Sequence, residues 1–343
     1  MNIIKFHTKM LKNLELPKIE RNKSQIKLVK QPQSPYYKIF QQIQISDYIL
    51  IGAGAGFSVD SGLKVYKDIA KIPIYKQLKM DYADLCDPEL LKYYESQQIF
   101  YGFWGTCYND YMDTKPHTGY YLLQNMLTKL NKKHFVYTSN VDGFFKRVFN
   151  PDNVFEIHGT LMEWQCSKQC SKFVYFFDDD FRFKISENMK YEFTVQKITY
   201  SQLKDDVEIN QNFDQDYMIQ IQMPPQCLPK CHLCNAVLRP RVMMFDDDQY
   251  MEIDAEQQQF EDFRRLFLKS KCCTMLEFGC GLRVPTIRED FERWLRKRLQ
   301  KGKQCQLIRI NPGEEKLQKK TNIYRDSVRH IKVGAEQFLR ELE

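Results

Sequence analysis

The sequence predicts an α/β protein, a parallel sheet flanked by helices and interrupted by a second, smaller module. Three observations predict this. Short apolar runs alternate with helical patterns along most of the 343 residues, the signature of strand–helix–strand units. Several of those runs stop at glycine or small polar residues, where doubly wound sheets carry ligand-binding groups. Between residues 166 and 235 the texture changes to cysteines, aromatics and acids.

Residues 1–35 read as a basic extension, expected to be flexible. Residues 1–40 hold nine Lys and Arg against Glu15 and Glu20, the whole net charge of +7. The rest is balanced at 42 basic and 42 acidic residues, so no nucleic-acid partner is expected. No run reaches the roughly 18–20 apolar residues of a membrane span, and no signal-peptide pattern opens the chain. Secretion is therefore not expected. The expected compartment is the nucleus or cytoplasm, with the mitochondrion as the alternative.

Tyr36 to Ser46 reads as a short helix and Tyr48 to Ile51 as a buried strand. The strand breaks into Gly52-Ala53-Gly54-Ala55-Gly56, then Ser58, Asp60, Ser61 and Gly62. Glycines let backbone approach a ligand, and a helix beginning there presents free N–H groups to phosphate. From Asp68 to Tyr101, Tyr82, Leu85, Leu90, Leu91 and Tyr94 recur at near-helical spacing and read as core. Lys115 to Gly119 marks a helix start, and His134 to Thr138 a second strand running into the polar turn Ser139-Asn140-Val141-Asp142-Gly143. Val154 to Gly159 is an apolar strand ending in His158-Gly159. Past the insertion, Val242 to Phe245 reads as a short strand, Phe260 to Leu268 as helix and Thr274 to Phe278 as a strand ending in Gly279-Cys280-Gly281. A helix from Pro285 to Leu299, a strand from Gln306 to Pro312, and Ile331 to Ala335 before a last helix complete the pattern.

The eleven cysteines, with no secretory signal, point to thiols and a metal site rather than disulfides. Cys166 and Cys170 are spaced C-x3-C, Cys231 and Cys234 C-x2-C. Together they can give one structural zinc four thiolates at about 2.3 Å. Cys227 with Cys231 is an alternative knuckle. The metal is expected to staple a module, residues 166–235, that shows no obvious core of its own and carries a long insertion over 171–226.

Taken in order, these motifs resemble the sirtuin family. Gly54 to Gly62 resembles its G-A-G-x-S-x-x-S-G loop, Thr138 to Gly143 its T-Q-N-I-D-G, and Ile157-His158-Gly159 its L-H-G. Leu238 to Val242 resembles L-R-P-x-V, and Gly279 to Pro285 resembles G-T-S-L-x-V-x-P. The resemblance implies a Rossmann-like domain over 36–165 and 236–343, with part of 64–117 lending helices to a smaller zinc-ribbon and helical domain. It implies an NAD-dependent protein-lysine deacylase that consumes NAD, acts on an acylated protein or peptide, and releases nicotinamide and O-acyl-ADP-ribose. The implied roles are His158 as general base, Asn140 orienting the ribose and a water, and Asp142 holding the nicotinamide carboxamide. Gly54, Ala55, Gly56, Ser58, Gly62, Tyr66, Lys67, Ser139, Gly279, Cys280, Gly281, Asn311 and Ala335 would contact NAD. Val242, Met243 and Phe245 would pair with the peptide by strand addition.

The sequence also departs from the family pattern. Lys64-Val65-Tyr66-Lys67 stands for P-D-F-R, Ser139 for glutamine, Tyr120 for histidine, Cys280-Gly281 for Thr-Ser, and Asp246 for a glycine. Two alternatives follow: an ADP-ribosyltransferase or NAD glycohydrolase, and an NAD-binding scaffold with little turnover.

Overall fold

The structure is a computed structural model and describes residues 34–64, 72–193, 197–202, 218–252, 254–313, 317–319 and 321–342. Most of the basic extension, Tyr66 and Lys67, and the polar tract from Asn210 to Asp216 lie outside these residues.

The chain begins with helix α1 (Tyr37–Ile45), strand β1 (Tyr48–Ala53) and the short helix α2 (Ala55–Ser58). Helices α3 (Pro73–Gln77), α4 (Tyr82–Leu85), α5 (Tyr94–Asp113) and α6 (Thr118–Lys129) follow. Next come β2 (Lys133–Thr138), α7 (Phe144–Val148), β3 (Val154–Glu156), β4 (Gly159–Cys166), β5 (Val174–Phe177), β6 (Thr199–Gln202), β7 (Met218–Gln222) and β8 (Leu238–Val242). The chain closes with α8 (Asp254–Lys269), β9 (Cys272–Phe278), α9 (Thr286–Leu299), β10 (Gln304–Ile310), β11 (Val328–Ile331) and α10 (Ala335–Leu342).

Six strands form one sheet in the order β11-β10-β9-β1-β2-β3, and every pair is parallel. This is the strand order of a doubly wound dinucleotide fold, with the direction of winding reversing between β1 and β9. The central strands are buried on both faces: β9 is wholly buried, and β1 is buried beyond its first residue. That burial explains why these strands read as continuous apolar runs rather than alternating ones. On one face Phe260 and Phe267 of α8 and Phe291, Trp294 and Leu295 of α9 pack with Leu50, Phe135 and Met275. On the other, Ile39 and Ile43 of α1, Leu123 and Leu127 of α6, and Phe338 and Leu339 of α10 close the core.

The smaller sheet runs β6-β7-β5-β4-β8. It extends past residues 166–235, taking in Gly159–Cys166 and Leu238–Val242 as well. The insertion supplies three of its strands, β5, β6 and β7, which corrects the reading of this module as coreless. Phe177 stacks on Phe181 at 4.4 Å, and Phe183 meets Trp164 at 5.4 Å and Tyr191 at 5.3 Å. These rings pack on α5, where Tyr108 reaches both Phe177 and Phe183 at 5.6 Å. Asn109 clamps Phe183 through two backbone bonds of 2.8 Å. A Cβ at Gly102 would lie 2.0 Å from the Met189 carbonyl, and one at Gly105 2.9 Å from the Phe183 ring. The two glycines therefore allow the insertion to lie flat on α5. The near-helical spacing from Tyr82 to Tyr94 does not make one helix. It divides into α4, a 3-10 turn at Pro88–Leu91 and the start of α5, because Pro88 interrupts the pattern.

Candidate active site

The site lies where the loops after β1, β2, β3 and β9 meet. The glycine loop packs on the β9 loop: Gly54 N donates to Phe278 O and Gly56 N to Gly279 O, both at 3.0 Å. A Cβ at Gly56 would meet the Gly279 carbonyl at 2.7 Å. Gly279 itself has φ +59°, and a side chain there would strike Phe57 N at 2.3 Å. These glycines are thus required by loop-on-loop contact, and the Gly54 and Gly56 N–H groups are already bonded. Cys280 is buried with its thiol donating to Phe278 O at 3.4 Å, so the side chain faces inward. Asn311 donates to Cys280 O at 3.0 Å. Gly281 and Ala55 are exposed and Ala335 is buried at the start of α10. Gly62 has φ +90° and ends the 3-10 turn after α2.

The β2 loop brings the polar groups together. Thr138 Oγ1 donates to Ala53 O at 2.9 Å and accepts from Asn140 N at 3.1 Å. Ser139 N donates to Ala53 O at 3.1 Å. Ser58 donates to Asp142 Oδ2 at 2.5 Å and accepts from Asn140 Nδ2 at 3.1 Å. Asp142 Oδ1 accepts from Phe144 N at 2.9 Å. Burial pushes the Asp142 carboxyl above its usual range, against the Ser58 and Phe144 hydrogen bonds. Asn140 Oδ1 is buried and has no hydrogen-bond partner. An orphaned buried acceptor costs about 1–3 kcal/mol, so the site is shaped for a ligand that presents a donor, such as a hydroxyl, an amide NH2 or water.

His158 sits on the turn between β3 and β4. Ile157 N donates to Thr138 O at 2.9 Å, Leu161 N to Val141 O at 2.9 Å, and Met243 N to His158 O at 2.9 Å. The histidine turn is thereby tied both to the Asn140 loop and to the end of β8. Gly159 has φ +75°, and a Cβ there would fall 2.0 Å from the Arg241 carbonyl. Only glycine lets this turn lie against β8. Burial holds the His158 imidazole below the ordinary histidine range, against a hydrogen bond to the Ser139 backbone. Two residues earlier, Glu156 pairs with Lys146 at 3.1 Å, and Lys146 also pairs with Glu256 at 2.6 Å.

The strand expected over Val242 to Phe245 is corrected in its bounds. The strand is Leu238–Val242 and ends at Val242. Met243 and Phe245 follow it, both exposed, and Asp246 has φ +48°. The turn is fixed by Asp247, which is buried against Arg239 in a two-pronged pair and also accepts from Met244 N at 3.2 Å and Gln249 N at 3.0 Å. Phe245 meets Tyr82 of α4 edge-on at 5.7 Å. Sequence reasoning missed Asp247, Thr138 and Tyr120, whose Oη lies 3.0 Å from Ser58 Oγ. Asp247 and Thr138 are polar residues beside apolar runs, the one available signal, whereas Tyr120 lies within a helix.

The four cysteines converge. Their sulfurs lie within 4.8 Å of one another, and the Cys166–Cys234 and Cys170–Cys231 contacts are both 3.5 Å. A tetrahedral zinc with 2.3 Å bonds needs sulfurs about 3.8 Å apart, so the group fits the metal. Left-handed residues close each knuckle, Gln169 at φ +47° and Asn235 at φ +58°. Cys227 is buried outside the group, which removes the alternative knuckle.

A doubly wound sheet with a polar loop cluster at its winding reversal, joined to a four-cysteine module, defines an α/β protein of the dinucleotide-fold class with a zinc-type staple. A family model, the Sir2 family, matches residues 54–268. The chain therefore belongs to the Sir2 (sirtuin) family. It is 27% identical over 220 residues to an NAD-dependent protein deacylase of Candida albicans, covering 61% of this chain and 68% of that protein. It is 26% identical over 262 residues to a protein ADP-ribosyltransferase of Staphylococcus aureus, covering 74% and 72%. The fold matches a Sir2 protein solved bound to acetylated peptide, with TM-score 0.56, 18% identity and coverage of 90% and 96%. It also matches a Sir2 homologue solved as an NAD complex, with TM-score 0.54, 16% identity and coverage of 89% and 91%.

Proposed function

We propose that this chain is an NAD-dependent protein-lysine deacylase that releases nicotinamide and O-acyl-ADP-ribose. The observation that carries the reading is the orphaned Asn140 acceptor beside the Asp142 carboxylate, on a loop bonded directly to the His158 turn. Bound NAD would supply a glycosidic bond to nicotinamide that gives way to the substrate's acyl oxygen. Asn140 Oδ1 accepts from a ribose hydroxyl or water. Asp142 has lone pairs beyond the two in use and accepts from the carboxamide NH2. A neutral His158 takes the ribose hydroxyl proton. Val242, Met243 and Phe245 line the peptide approach, and the four thiolates of Cys166, Cys170, Cys231 and Cys234 hold one structural zinc. Among the described residues no helix is long and apolar enough to cross a membrane.

A second reading, transfer of ADP-ribose to protein or to water, draws support from two observations. Met243 N is already bonded to His158 O, which removes one donor from the peptide-pairing edge. The Staphylococcus aureus relative also aligns over more of the chain than the Candida albicans one. The test is incubation with NAD, with and without an acetyl-lysine peptide, and identification of the products by mass spectrometry. O-acetyl-ADP-ribose formed only with peptide supports deacylation. ADP-ribosylated protein or free ADP-ribose formed without peptide supports the second reading.

A further inference from the structure

We infer that Tyr120 is a positioning residue that fixes the hydrogen-bonding direction of Asn140 and Asp142 through Ser58. The inference rests on the NAD-consuming reading above.

A serine hydroxyl has one proton and two lone pairs. Ser58 gives its proton to Asp142 Oδ2 at 2.5 Å and takes Asn140 Nδ2 at 3.1 Å. Tyr120 Oη lies 3.0 Å from the same oxygen, and the lone pair left over is the position it must fill as donor. Burial, and after it the Asp142 charge, push the Tyr120 phenol well above its usual range, so it remains a donor at neutral pH. With Tyr120 in place, Ser58 is saturated and its proton has one direction. Asn140 is then held with Nδ2 inward and Oδ1 turned to the orphaned position. Without the phenol, Ser58 has an empty lone pair, and water or a turned amide can take it. Tyr120 is fully buried, and its ring is held by Phe57 at 4.5 Å, Phe145 at 4.8 Å and His117 at 4.9 Å. The ring is therefore fixed independently of the hydroxyl.

The test uses the full chain and three variants: Tyr120→Phe, Ser58→Ala and the double variant. Tyr120→Phe is expected to keep its folded near-ultraviolet spectrum and to lower kcat/KM for NAD about tenfold, the size of one directed hydrogen bond. Ser58→Ala is expected to cost more, and adding Tyr120→Phe to it is expected to change nothing beyond about twofold, because the two act through one oxygen. Wild-type kcat/KM in Tyr120→Phe, multiplicative effects in the double variant, or failure of Tyr120→Phe to fold would each overturn the inference. If the wild-type chain consumes no NAD, the proposed function falls separately. The relay is then read from NAD affinity by calorimetry, where the same non-additivity is expected and its absence overturns the inference.

Discussion

The two sheets bury similar aromatic side chains, yet their order comes from opposite sources. In the six-stranded sheet every strand pair is parallel, and the loops at one end bond to one another: Gly54 to Phe278, Gly56 to Gly279, Ser139 to Ala53 and Ile157 to Thr138. In the five-stranded sheet, β4 pairs with β5 at Trp164 and Tyr175 only. Its ladders run along β4–β8, β5–β7 and β6–β7, and the narrow β4–β5 seam is backed by stacked rings, by the clamp of Asn109 on Phe183 and by four thiols at one end. Among the described residues, the loop network of the first arrangement leaves Asn140 Oδ1 buried and unsatisfied. The second is built to hold the His158 turn and the β8 edge in place, and to do so with a metal.

Metal removal breaks this comparison most strongly. Metal analysis is expected to find one zinc per chain. Structural zinc sites are worth on the order of 10 kcal/mol, so a strong chelator, or Cys231→Ser, is expected to unfold the five-stranded sheet. Hydrogen exchange would show protection lost in β4 to β8 and kept in β1, β9 and β10. Uniform loss across both sheets, or none, would contradict the division. Phe183→Ala attacks the same half through its rings. It is expected to cost about 3–5 kcal/mol in denaturant unfolding, since Phe183 is buried and meets six other rings. A cost below about 1 kcal/mol would place the order of that half elsewhere.

His158 tests the contact between the two halves. His158→Ala is expected to lower the deacylation rate by roughly 10²–10⁴-fold with little change in folding. The pH profile carries a sign. A base must be unprotonated, and burial lowers the imidazole's affinity for a proton. The rate is therefore expected to rise with pH, with the midpoint of the rise below the ordinary histidine value of about 6.5. A limb lying above that value would mean that His158 is stabilised as a cation, contrary to its burial.

Much of the large sheet was legible in the sequence, because strands buried on both faces read as apolar runs and their loop glycines are forced by contact. The runs at Tyr48, His134 and Thr274 correspond to β1, β2 and β9, each within two residues of its start. The small sheet was not legible. Its rings meet across distant positions, Tyr108 with Phe183 and Tyr101 with Trp164, and no local periodicity encodes such contacts. The cysteine spacing revealed the four thiols but not the fold around them. At the site, Asn140, Asp142 and His158 stood at ends of apolar runs and could be singled out. Tyr120 lay within an apolar helix face, where a buried tyrosine reads as core. The strand expected at Val242 to Phe245 ends at Val242, because the Asp247–Arg239 pair turns the chain there.

As a deacylase of the proposed kind, the chain is expected to couple NAD cleavage to an acyl-lysine substrate. The most direct measurement counts nicotinamide released against lysine deacylated, with purified chain, NAD and an acetylated peptide. The expected result is equal amounts of the two, and nicotinamide release at background level when the peptide is left out. Nicotinamide released at the same rate without peptide, or a deacylated peptide with NAD intact, would contradict that coupling.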